Sequence, residues 1–122
     1  MNQSFLIEIK SGEATIYNDK SILENMHSAL AFKLLTKPNS NFTENLSIAD
    51  YKKFRKMVIE MILATDLAQH MLWFTKFKNS YEADELDLNE ESNRQLLLNI
   101  IIKSADIGHG AKKLHLHKRF SR

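Results

Sequence analysis

At 122 residues, with 43% hydrophobic and 26% charged side chains, the chain has the size and composition of one globular domain rather than of a disordered segment. It contains no cysteine, which excludes disulfides and thiolate metal sites, and 3 Gly with 1 Pro are too few punctuators for a barrel or sandwich of many short strands. The formal charge of +2 is uneven, because Lys112 to Arg122 hold 5 of the 17 basic residues and no acid.

A chain rich in Leu, Ile, Lys, Glu and Ala is expected to be all-α. The start, MNQSFLIEIK, has no basic stretch followed by a long apolar run, and no segment reaches the roughly 18 apolar residues a membrane span needs. Neither a signal peptide nor a span is expected, and the localisation is read as cytoplasmic. The basic end KKLHLHKRFSR has only local charge to suggest a phosphate or membrane partner, and such runs are most simply solvated, so no nucleic acid is expected.

Phe5 to Ile9 is too short to decide between strand and helix, whereas Ser11 can cap a short helix through Tyr17, with a turn at Asn18 and Asp19. Ser21-Ile-Leu-Glu24 has the spacing of a capping box, which predicts a helix from Ser21 to about Leu35, ended by Lys37 and Pro38. Its apolar residues wrap most of the circumference, so a central helix is expected. Ser47 can cap the next helix, and Phe54, Val58, Met61, Ile62, Leu72 and Phe77 carry helical spacing for about seven turns, as one long helix or two in line. Tyr81 to Asn89 is an acidic connection, and Asp87 or Asn89 is expected to start a third long helix through LLLNIIIK to Asp106. Lys112 to Arg122 reads as the beginning of another helix.

Leu96 to Ile102 leaves no polar stripe and is expected to be buried on most sides, leading straight into the lone carboxylate Asp106. Burying that carboxylate without a partner is costly, so it is exposed, hydrogen-bonded, bound to a cation, or simply a turn residue beside Gly108 and Gly110. Asp66 and His70 share a helix face if the helix runs through them, as a hydrogen-bonded pair or as two metal ligands. Glu24 is explained by the capping box and His27 by a partly buried, hydrogen-bonded place among helices. His115 and His117 diverge by about 200° on a helix, which disfavours joint chelation.

Three segments in order, YNDKSILENMHSALAFKLL, FRKMVIEMILATDLAQHM and IIKSADIGHGAKKLHLHKRF, resemble the class I cyclic nucleotide phosphodiesterases over nearly the whole chain. That resemblance implies a compact all-helical fold, of which this chain forms an incomplete central part of about five to six helices. It also implies two divalent ions, Zn²⁺ and Mg²⁺, and hydrolysis of cAMP or cGMP to the 5′-monophosphate. By resemblance Asp106 is a metal ligand, Glu24 orients the catalytic machinery, and Thr65 belongs to the shell of metal-bound water. Asp66, Leu67, His109, His117, Phe120 and Ser121 fall at positions of the substrate pocket. The family's remaining metal ligands and its base-clamping residues are expected outside residues 1–122, so the isolated chain is expected to retain neither the ions nor activity. Two departures stand inside the match: Met26 replaces the first His of a His-His pair, and Gly110 replaces a Pro. The alternative reading is a non-catalytic helical module that associates through exposed apolar helices.

Overall fold

The structure, a computed structural model, describes residues 2–120, with nothing described of the Phe120 side chain. Seven α-helices and no strand are found among them: α1 Gln3–Glu8, α2 Gly12–Ile16, α3 Ile22–Leu35, α4 Ile48–Ala64, α5 His70–Glu82, α6 Glu91–Ile107 and α7 Leu114–Phe120. The all-α expectation holds. The number exceeds five to six because Phe5 to Ile9 is helical in part and the long periodic stretch is broken in two.

Local chemistry explains most boundaries. Asn2 caps α1 by accepting from Phe5 N, Ser11 caps α2 by accepting from Ala14 N, and Ser47 caps α4 by accepting from Asp50 N. The break between α4 and α5 lies at Asp66, whose ψ of 118° leaves the helix while its carboxylate caps a 3-10 turn over Leu67–Gln69. Asp87 does not start α6. Its carboxylate binds Asn89 N and Nδ2 within the connection instead, and the helix begins at Glu91.

The capping box at Ser21 is not formed. Ser21 sits in the left-handed region at φ 41°, ψ 51°, and its side chain makes no cap to α3. A non-glycine residue there is strained, and its hydroxyl is held by a tertiary contact described below.

The three long helices define the packing. α3 runs antiparallel to α4, with Ser21 near Asp66 at one end and Phe32 edge-on to Phe54 at the other. α6 runs parallel to α4, because Gln95 Nε2 donates to Met57 O and Lys103 Nζ donates to Ala64 O. α5 packs on α6, while Leu6, Ala14 and Ile22 tie α1 and α2 to the start of α3.

Two expectations about burial are corrected. α3 is not central: Ile22, Ser28 and Phe32 are buried, but Leu30 and Leu34 are exposed, and so is His27. In α6 two polar residues are buried alongside Leu96, Asn99 at 0% and Lys103 at 5% exposure, while Ile101 is 53% exposed. The α6 face that meets α4 is thus chosen by hydrogen bonds from Gln95 to Met57 O and from Lys103 to Ala64 O, together with buried Leu96, while Asn99 accepts from Gln95 within the helix. Of the other apolar residues in the run, Ile101 looks outward and Leu97, Leu98, Ile100 and Ile102 are half-buried.

Candidate functional site

The ends of α4 and α6 and the start of α3 meet around one buried ammonium. Lys103 Nζ donates to Ala64 O at 2.7 Å, taking up a carbonyl at the end of α4, and lies 3.5 Å from Asp66 O. Burial lowers the pKa of Lys103 below the ordinary lysine value, against the opposing pull of the Asp66 and Asp106 carboxylates.

Asp66 is fully engaged. One carboxylate oxygen accepts from Ala68 N at 2.9 Å, and the other accepts from Ser21 Oγ at 2.7 Å. It is not on a helix face with His70, so neither the hydrogen-bonded pair nor the two-ligand metal pair forms. His70 opens α5 and stacks on Phe74. Asp106 occupies the last turn of α6, is exposed, and makes no hydrogen bond or ion pair among the described residues.

Glu24, in the first turn of α3, shares a cleft of about 210 Å³ with Leu23, Asp66, Leu67 and, from the chain's start, Asn2 and Gln3. Thr65 adjoins it in sequence as the C-cap of α4, and its hydroxyl donates to Ile62 O at 2.7 Å, so only its lone pairs can serve an outside donor. His109 and His117 meet through their Nδ1 atoms at 3.0 Å, away from this cleft's lining. Phe120 ends α7, and Ser121 lies outside the described residues. A Cβ at Gly110 would meet nothing within 4 Å and its φ is not positive, so neither space nor backbone demands glycine there. Nothing in the structure explains Met26.

Among the described residues no group of three or more His, Cys, Asp or Glu side chains is placed to hold a metal ion. Asp106 stands alone with a lysine as its charged neighbour, so the residues present do not fit a pair of divalent ions.

The family model for 3′5′-cyclic nucleotide phosphodiesterases matches residues 1–122. The chain belongs to the 3′,5′-cyclic nucleotide phosphodiesterase family. It is 42% identical over 118 residues to the probable 3′,5′-cyclic phosphodiesterase pde-3 of Caenorhabditis elegans, covering 97% of this chain and 17% of that protein. It is 41% identical over 120 residues to the mouse cGMP-inhibited 3′,5′-cyclic phosphodiesterase 3A, covering 97% of this chain and 10% of that one. Two crystal structures of the phosphodiesterase domain of the Salpingoeca rosetta rhodopsin phosphodiesterase match 99% of this chain with TM-scores of 0.90 and 0.92, at 33% and 32% identity. The chain spans 37% and 39% of those two structures and under a fifth of the curated relatives it matches. The resemblance read from the three motifs is therefore correct at the level of family and fold.

Sequence reasoning missed Ser21 and Lys103 as members of this phosphodiesterase-family junction. Lys103 left a trace, since it is the only charge closing the run LLLNIIIK, whereas Ser21 was hidden by a more familiar capping pattern.

Proposed function

We propose that residues 1–122 are the central part of a catalytic domain that hydrolyses cAMP or cGMP to the 5′-monophosphate in cytoplasmic cyclic nucleotide signalling. The observation that carries this reading is the convergence of Glu24, Asp66 and Leu67 on one cleft, within a chain matched by the family model from end to end. In this reading Glu24 and Thr65 present polar groups to the reacting phosphate and its water. Leu67 and Asp66 form the rim of this cleft, and the other pocket positions implied by the resemblance, His109, His117, Phe120 and Ser121, belong to a part of the pocket that this cleft does not include. Asp106 contributes one carboxylate to a site for Zn²⁺ and Mg²⁺ that these residues alone do not complete.

It follows that the 122 residues by themselves are inactive, since metal affinity depends on several ligands gathered by one fold. They also associate. Only six apolar side chains are buried among the described residues, against eighteen large apolar ones exposed. Sedimentation of the isolated chain is expected to show self-association.

The deciding assay grafts residues 1–122 into the matched segment of a solved phosphodiesterase domain. The chimera is expected to release 5′-AMP or 5′-GMP from the cyclic nucleotide, and Asp106→Ala to abolish the release, while the isolated chain gives none. A folded chimera without hydrolysis overturns the reading, and so does activity of the 122 residues alone.

A further inference from the structure

His109 and His117 form a pair that the cyclic nucleotide reading does not use as a pair. His109 lies in the 3-10 turn Gly108–Ala111 that follows α6, and His117 lies on α7, which packs against that turn. Their Nδ1 atoms are 3.0 Å apart, the ring centroids are 5.0 Å apart, and the ring planes differ by 13°. With nitrogens so much closer than centroids, the rings meet edge to edge through Nδ1 and not face to face. Both side chains are half-buried.

In the neutral pair one ring donates Nδ1–H to the bare Nδ1 of the other, so the two rings are opposite tautomers across the contact. The same edges suit a different guest. A tetrahedral Zn²⁺ with Zn–N bonds of about 2.0–2.1 Å sets its nitrogens about 3.3–3.4 Å apart, a few tenths of an ångström beyond the present separation. The geometry points to a two-imidazole chelate: we infer that His109 and His117 bind a borderline divalent transition ion such as Zn²⁺ or Ni²⁺ through both Nδ1 atoms. Imidazole nitrogen is the ligand these ions accept readily, in contrast to Mg²⁺ or Ca²⁺. With two ligands among the described residues, other coordination positions go to water, unlike the closed four-ligand site of a structural zinc.

Binding moves one proton within the pair. The ring that carried Nδ1–H takes its proton on Nε2, both Nδ1 lone pairs go to the ion, and no proton need be released when both rings start neutral. The ion then staples α7 to the turn after α6. His115 takes no part, since it diverges from His117 on α7. Asp106 takes none either, which separates this site from the metal role proposed above for that carboxylate.

The test is a titration of the 122-residue chain with ZnCl₂, and separately NiCl₂, at pH 7.5, by calorimetry and by ¹H–¹⁵N spectra of the imidazole nitrogens. For Zn²⁺, the Nδ1 resonances of His109 and His117 are expected to shift together to the metal-bound position while both rings become Nε2–H. This direct signature needs no variant. His109→Gln and His117→Gln are each expected to weaken binding at least about tenfold. His115→Gln and Asp106→Asn leave it within about twofold, all four being checked for native helix content. The inference is overturned if no ion binds below about 1 mM, where affinity falls to a few kcal/mol. It is equally overturned if His109→Gln or His117→Gln binds as the parent does, or if Asp106→Asn abolishes binding.

Discussion

Asp66 and Asp106 sit at comparable places, just past the end of α4 and in the last turn of α6, and both act on the ammonium of Lys103. Their surroundings are opposite. Asp66 is half-buried and receives hydrogen bonds from Ser21 Oγ and Ala68 N, so its charge is spent on fixing the joint between α4 and α5 against the start of α3. Asp106 is exposed and unengaged among the described residues, so its charge is available to something else. A carboxylate whose acceptors are filled holds a fold together, while one left open at the surface is suited to a ligand.

The comparison breaks first at Lys103. Lys103→Ala leaves the Ala64 carbonyl without its charged donor and opens space for the lost stem, an expected cost of about 3 kcal/mol in denaturant unfolding. A loss below about 1 kcal/mol would show that the ammonium is not holding the joint. Next, Asp66→Ala is expected to cost about 2 kcal/mol through the lost cap and the stranded Ser21 hydroxyl, whereas Asp106→Ala stays within about 0.5 kcal/mol. Equal effects of the two would dissolve the contrast.

Ser21 sharpens it further. Ser21→Ala and Ser21→Gly both lose the bond to Asp66, but only glycine relieves the left-handed backbone, so the alanine variant is expected to be less stable than the glycine one by about 1 kcal/mol. The smallest effect is on pH dependence. The folded chain holds the Lys103 proton less tightly than the unfolded chain, so unfolding takes up protons and stability rises with pH between the lowered folded pKa and the ordinary lysine value of 10.5. The difference in stability between the parent and Lys103→Met is expected to move in the parent's favour over that alkaline window. A flat difference would mean that burial does not disfavour the charge.

Helices were legible in this sequence wherever a cap and a period agreed. Ser11 and Ser47 cap as their neighbours predict, and α3 ends at Leu35 just before the Thr36 to Pro38 stretch. Burial was less legible. The apolar run of α6 suggested an all-round buried helix, but Lys103 turned inward and Ile101 outward, because the partner face on α4 offers carbonyls at Met57 and Ala64 that Gln95 and Lys103 take up, and Asn99 is buried beside Gln95. A hydrophobicity pattern counts apolar residues and cannot see where an acceptor will be waiting.

The candidate site divides the same way. Its family and its all-helical class were legible from motif and order along the chain, and the same motifs are what propose Glu24, Thr65, Asp66 and Asp106 as site residues. Their employment was not legible there. The contact between Ser21 and Asp66 joins residues 45 apart, Lys103 reaches Ala64 across 39, and His109 finds His117 instead of His115 pairing with it. Caps and periods are set by neighbours within a turn or two, so the chain alone determined them. Which carboxylate is tied down and which is left open depends on helices brought side by side, and that only the tertiary structure decided.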